Sequence, residues 1–317
     1  MKIITKCPVR ISLAGGSTDS PRFIEKYNRG SVISFTPNLF TYTSVFQDVN
    51  GFNNFNKEYI LSYSRNECTS HVSEIKNHLI KEALISIHSP PCKITFDSDI
   101  FSSGSGLAVS SSYALGIVNS LNTFKGLTFQ TSEICKKAFD IENKVNPYNG
   151  YQDTYGVAYG GLKRLNFNKD GTFSIKYLNP WVFEKFNFYL VYTKIKRESS
   201  SILKTINTDK SLPLLEEVDK LEKNILKKDA SSFLKTVNNS WRIKKEGSPS
   251  ILNDPELVKL DEQLQNDSEV YAHKLCGAGG GGYFLVITDK IDSFNFKNPH
   301  PWIKIDLDTK GISTLKI

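Results

Sequence analysis

The chain has 317 residues, a length that suggests two domains at roughly 150 residues per domain. With 39% hydrophobic and 12% aromatic residues and only 20 Gly and 12 Pro, it can bury a sizeable core, which excludes fibrous, repetitive and wholly disordered classes. Lys and Arg total 40 against 33 Asp and Glu, and the resulting charge of +7 is spread along the chain: it suits anionic small molecules or an ordinary basic surface, and forms no stripe of the kind that tracks nucleic acid.

In chain order, Ile3 to Leu13 reads as a strand that breaks at Ala14-Gly15-Gly16-Ser17-Thr18-Asp19, whose small residues imply a tight turn. A short helix follows Pro21, with Asp19 as its candidate cap, and sequence rich in Val, Ile, Phe, Tyr and Thr runs from Ser31 to about Tyr63. Val72, Ile75, Leu79, Ile80, Ala83, Leu84 and Ile87 recur at helical spacing and predict a helix over 71–87. A strand over 92–96 leads into the glycine-serine loop at Ser102 to Ala108, then into a helix over 109–121. A second helix over 132–145 is closed by Asn146-Pro147-Tyr148-Asn149-Gly150, and strands are predicted over 162–167 and 173–177. The change of pattern near Gly160-Gly161 is the candidate boundary between a domain at 1–165 and another at 166–317. Beyond it lie a strand over 188–193, a helical region over 200–245, a helix over 255–265, and strands over 271–275 and 283–287 flanking the glycine run Gly277 to Gly282.

No apolar stretch approaches the ~18 to 20 residues that span a bilayer, and Met1 to Gly16 lacks the continuous apolar core of a signal peptide. The five cysteines are widely spaced with no C-x-x-C pair, which reads as reduced thiols in a cytoplasmic protein. His71 and His78 have no cysteine or histidine at zinc spacing and read as surface or core residues.

Chemistry is expected where small residues allow close approach. A glycine-rich turn opening a helix aims free N–H groups and the positive end of the dipole at an anion, so the loop at Ser102 to Ala108 is a phosphate-binding candidate; it reads equally well as a helix cap with a flexible lead-in. It is not a P-loop, since no Lys follows its glycines in the required arrangement. Gly277 to Gly282 contains G-x-G-x-x-G, but the residues after it read as a strand, so a hairpin connection is the plainer reading. Asp153, after a glycine break, is expected near a loop apex, and Glu142 lies in the preceding helix; taken singly, each reads as a solvated or capping acid.

The joint pattern is more informative. Pro8-Val9-Arg10-Ile11-Ser12-Leu13-Ala14-Gly15-Gly16-Ser17-Thr18-Asp19, Gly104-Ser105-Gly106-Leu107-Ala108-Val109-Ser110-Ser111-Ser112, Gly150-Tyr151-Gln152-Asp153-Thr154-Tyr155 and Lys274-Leu275-Cys276-Gly277-Ala278-Gly279-Gly280-Gly281-Gly282 resemble, in this order, the motifs of the GHMP small-molecule kinases. The form of the first motif, Tyr192-Thr193 followed by Arg197-Glu198-Ser199-Ser200, and Trp241-Arg242-Ile243-Lys244-Lys245 are most similar to D-glycero-D-manno-heptose 7-phosphate kinases.

The resemblance implies an α+β, two-domain architecture: an N-terminal ATP-binding domain, a C-terminal domain, and the active site in the cleft between them. It implies ATP and Mg²⁺ as cofactors, with ATP on Gly104, Ser105, Gly106, Leu107, Ala108, Val109, Ser110 and Ser111, and the metal on Ser110 and Glu142. Asp153 would be the catalytic acid-base group and Arg10 its charge-stabilising companion. Gly16, Ser17, Thr18, Asp19, Gly277, Gly279 and Arg197 would bind the sugar or sugar phosphate. The implied reaction is phosphorylation of the anomeric hydroxyl of a heptose 7-phosphate; a kinase of an unphosphorylated sugar of the fucose or galactose type, or a sugar-binding regulatory protein on the kinase fold, are the alternatives. Neither nucleic acid nor membrane is expected as a partner. One departure matters: Ala108 and Val109 stand where such kinases carry Gly and Ser, which bears on the tightness of nucleotide binding.

Overall fold

The β-branched and aromatic residues of the first third form strands, as their alternation requires. The computed structural model describes residues 1–47, 57–101, 104–196, 199–289 and 300–317. Its first elements are β1 (Lys2–Pro8), β2 (Ile11–Ala14), α1 (Pro21–Tyr27), β3 (Arg29–Phe35), β4 (Phe40–Phe46), β5 (Tyr59–Ser62) and β6 (Asn66–Thr69). Then come α2 (His78–Ile87), β7 (Lys93–Ser98), α3 (Val109–Phe124), α4 (Thr131–Val145), α5 (Tyr151–Ala158), β8 (Leu162–Asn168) and β9 (Phe173–Tyr177). The remainder holds α6 (Trp181–Lys185), β10 (Asn187–Tyr192), α7 (Ser199–Thr205), α8 (Pro213–Leu226), α9 (Ala230–Gly247), α10 (Pro255–Asn266), β11 (Ala272–Leu275), β12 (Tyr283–Thr288), β13 (Trp302–Ile305) and β14 (Ser313–Lys316).

The strands form sheets in the orders β14-β1-β4-β7-β5-β6, β2-β3-β8-β9 and β11-β12-β10-β13. Among the described residues pairing is antiparallel except between β5 and β7, and helices pack beside the sheets, so the fold is α+β. Ile94, Leu115, Ala138 and Phe167 belong to a core that joins the first sheet to α3 and α4. Ile11 and Phe35 share a second core with Val218, Phe233 and Leu285, so β2 and β3 are packed against the helices and sheet of the second half. Arg10 lies between β1 and β2, where the chain leaves one sheet and enters another.

Two helical expectations change in detail. Over 71–87 a 3₁₀ turn (Val72–Glu74) comes first, and α2 begins only at His78, because Asn77 Oδ1 accepts the Ile80 N–H (3.1 Å) and restarts the helix. The region 200–245 divides into α7, α8 and α9; Pro213 opens α8, and Asp229 caps α9 by accepting the Ser232 N–H at 3.0 Å. The chain between residues 165 and 166 lies inside β8, and β14 pairs with β1, returning the C-terminal strand to the first sheet.

Candidate active site

The site is built around Arg10. Its backbone N–H donates to Leu107 O at 3.0 Å, and its side chain is buried. Nη2 and Nε donate to Asp153 Oδ1 at 2.7 and 3.1 Å, while Nη1 donates to Gly106 O at 3.0 Å. One guanidinium therefore joins the glycine-serine loop to the acid, with the fixed fork geometry that a lysine lacks. Among the described residues no partner is found for Asp153 Oδ2, and the Asp153 side chain remains 26% exposed.

Asp153 sits in the first turn of α5, not at a loop apex. The helix forms there because Asp19 supplies its N-terminus from the other end of the first half: Asp19 O accepts the Tyr151 N–H (3.1 Å) and Oδ2 accepts the Gln152 N–H (3.0 Å). Oδ1 accepts from Gln152 Nε2 at 2.9 Å. Asp19 is thus not the cap of α1, a role taken by Ser20, which accepts the Phe23 N–H. A Cβ at Gly150 would overlap Asp19 Oδ2, so the approach requires glycine. Burial, with Asp153's charge second, pushes the Asp19 carboxyl up to about 6.

The loop at Gly104 to Ala108 runs into α3, whose N-terminus has no side-chain cap among the described residues. Its first amides lack helical acceptors and are suited to an anion. A Cβ at Gly282, where φ is +92°, would strike Ser105 O, so the glycine hairpin between β11 and β12 lies directly on this loop. Ala108 occupies the left-handed region at φ 61°. That conformation costs an L-residue about 1 kcal/mol relative to glycine. We predict that Ala108→Gly raises the unfolding free energy by roughly 0.5 to 1 kcal/mol in denaturant melts; a destabilised variant would contradict the strain.

Glu142, on α4, is 2% exposed. Burial, reinforced by Asp153's charge, pushes its carboxyl up to about 7 against the opposing hydrogen bonds of the Ser111 and Ser110 hydroxyls and the charge of Arg10. Among the described residues its Oε2 is buried without a hydrogen-bond partner. An orphaned carboxylate oxygen beside two hydroxyls fits Mg²⁺, which uses one or two carboxylates and takes its other ligands from water and phosphate. Among the described residues there is no group of three or more His, Cys, Asp or Glu that could form an all-protein cage.

Arg10, Gly16, Ser17, Asp19, Gly104, Ser105, Gly106, Ala108, Val109, Ser110, Ser111, Glu142, Asp153 and Gly277 line one cavity of about 440 Å³. Three expected site residues serve its walls. Thr18 is buried and donates its hydroxyl to Gly15 O (2.7 Å) or Ser31 O (2.8 Å), Leu107 is in the core, and Gly279 packs against Ile251. Arg197 lies outside the described residues. Sequence reasoning passed over Gln152, whose signal was its place beside Asp153, and Lys274, whose buried ammonium donates to Ser12 O at 2.6 Å and ties β11 to β2. Burial lowers Lys274 to about 8.

Residues 70–161 match the family model described as GHMP kinases N terminal domain. The chain is 27% identical over 320 residues to D-glycero-alpha-D-manno-heptose 7-phosphate kinase of Campylobacter jejuni, covering 93% of this chain and 92% of that protein. Its fold is similar to the crystal structure of a D-glycero-D-manno-heptose 1-phosphate kinase from Bacteroides thetaiotaomicron (TM-score 0.78, 18% identity, 99% of each chain). It is also similar to Lactococcus lactis galactokinase complexed with galactose (TM-score 0.78, 15% identity, 99% of this chain and 95% of that one).

Proposed function

We propose, from the premise that the chain carries a GHMP kinase N-terminal domain, that it is an ATP-dependent sugar kinase acting on the anomeric hydroxyl of D-glycero-D-manno-heptose 7-phosphate. The observation that carries this reading is the single guanidinium of Arg10 held between Gly106 O and Asp153 Oδ1. It couples the anion-binding loop to a carboxylate with a second, unshared oxygen.

The amides from Gly104 to Ser111 receive the nucleotide phosphates. Ser110 and Glu142 would hold Mg²⁺, which would supply charge neutralisation at the phosphoryl group. Gly16, Ser17 and Asp19 orient the sugar. Asp153 accepts the proton of the attacking hydroxyl, and Arg10 stabilises negative charge that develops beside it. Transfer of this kind depends mainly on positioning and electrostatics, so a rigid cradle with one base suffices. The amides proposed for the nucleotide belong to residues 1–165, and Lys244 and Gly277 line the same cavity from 166–317.

The test is ADP release with ATP, Mg²⁺ and a panel of heptose 7-phosphate, fucose and galactose. Turnover with the heptose phosphate, and a product carrying a second phosphate at the anomeric carbon by phosphorus NMR, is expected. Activity confined to the unphosphorylated sugars would move the substrate to that class. Sugar binding without ADP release would make the protein a sensor on the kinase fold.

A further inference from the structure

The rim of the cavity carries positive charge that the proposed chemistry does not use. Tyr148 presents its ring to two cations from different elements: the Arg22 guanidinium of α1 at 4.7 Å from the centroid, and the Lys204 ammonium of α7 at 5.4 Å. The two charges are therefore no farther apart than the sum of those distances. Among the described residues neither is paired with a carboxylate, whereas neighbouring cations are: Lys26 with Asp209, Arg10 with Asp153 and Lys245 with Asp261. Arg22 and Tyr148 line the cavity, as does Lys244 of α9, whose ammonium donates to Gly277 O.

Like charges gathered round one ring repel one another. An anion between them removes the repulsion, and a guanidinium offers it a bidentate fork. The rim lies beside residues proposed to orient the sugar. Arg22 is three residues after Asp19, and Tyr148 is two before Gly150, which lies against Asp19. The rim thus adjoins the acceptor side of the cavity.

We propose that Arg22 and Lys204, with Lys244, grip the phosphate at the far end of the acceptor sugar and make Arg22 a specificity determinant for phosphorylated over unphosphorylated sugars. This rests on the sugar-kinase reading for its ligand, though not on turnover. Of the basic residues in the motif Trp241 to Lys245, Lys244 faces the cavity, while Lys245 is committed to Asp261 at 2.6 Å.

The test is calorimetric binding of heptose 7-phosphate and of the unphosphorylated heptose to the full chain, to Arg22→Gln and to Lys204→Gln. The wild type is expected to bind the phosphate ester at least ~10-fold more tightly than the free sugar. Arg22→Gln should abolish most of that preference and Lys204→Gln part of it, with affinity for a non-hydrolysable ATP analogue unchanged in both. Equal binding of the two sugars by the wild type, or a preference that survives both substitutions, overturns the proposal. Loss of ATP-analogue affinity in its place would assign these cations to the nucleotide and also overturn it. Because binding is read without catalysis, a chain that prefers the phosphate ester yet releases no ADP would refute the kinase reading and leave this one standing.

Discussion

Asp153→Asn is expected to lower kcat by roughly 10²- to 10⁴-fold, the range a general base contributes, and to leave ATP-analogue affinity within a few-fold of wild type. The asparagine retains an oxygen for Arg10 Nη2 and Nε, which now donate to Oδ1 at 2.7 and 3.1 Å, so the arrangement around the guanidinium survives while the proton acceptor does not. The contrast with Asp153→Ala separates chemistry from structure. Alanine takes both counter-charge and acceptor from Arg10, whose side chain is 4% exposed; the cost of about 3 to 5 kcal/mol for breaking a fully buried pair is an upper bound here, because the Asp153 side chain is 26% exposed. Both variants leave the Arg10 charge without a counter-charge, but asparagine keeps an acceptor for its N–H groups. Thermal melts should therefore show Asn below wild type and Ala lower still, with kcat lost in both. Near-wild-type ADP release by the Asn variant would take Asp153 out of the mechanism.

Glu142→Gln has two opposite consequences. It removes the carboxylate proposed for Mg²⁺ and should lower turnover by about 10²-fold or more, since charge neutralisation is a large share of phosphoryl transfer catalysis. In the metal-free protein it should stabilise the fold, and the sign follows from linkage. The folded carboxyl titrates at about 7 against an ordinary value of 4.5. A raised value means that the protonated form favours folding: that contribution is complete below 4.5 and is lost as pH rises through 7. Above pH 7 the wild type carries a buried carboxylate with an orphaned oxygen, and the neutral amide avoids it. The expected gain for Gln is at most about 3 kcal/mol at pH 8 and close to nothing at pH 4.5. Asp19, raised to about 6, loses its contribution over an overlapping window, but it is present in both proteins and cancels in the comparison. Millimolar Mg²⁺ at pH 8 should raise the wild-type melting temperature and leave the variant unmoved. Equal melting differences at both pH values, or an equal Mg²⁺ response, would contradict the assignment.

Much of the scaffold was legible because its signals are local. The apolar spacing of α3 and α4, the strands from Leu162 and Phe173, and the glycine hairpin before Tyr283 are all determined by neighbours in sequence. The exposed strand β14 was not foreseen: its polar residues carry little strand signal, and it forms because β1 offers an open edge. The same limit governed the site. Arg10, Asp19, Glu142 and Asp153 were singled out by the order of motifs, but spacing gave no hint that Arg10 would bridge Gly106 and Asp153. Nor could it reveal that Asp19 would serve the helix of Asp153, 134 positions on, and leave Ser20 to cap its own. Ala108 was flagged for lost backbone freedom, and its left-handed conformation now locates that cost at the entrance to α3.

The central claim is that Asp153 receives the acceptor's proton. Its most direct test is a crystal structure of the chain with Mg²⁺, a non-hydrolysable ATP analogue and heptose 7-phosphate. The anomeric hydroxyl within about 2.6 to 3.2 Å of Asp153 Oδ2, and facing the terminal phosphate, is the result this account predicts. A sugar bound in the cavity with Asp153 still held by Arg10 and no hydroxyl within reach would contradict it.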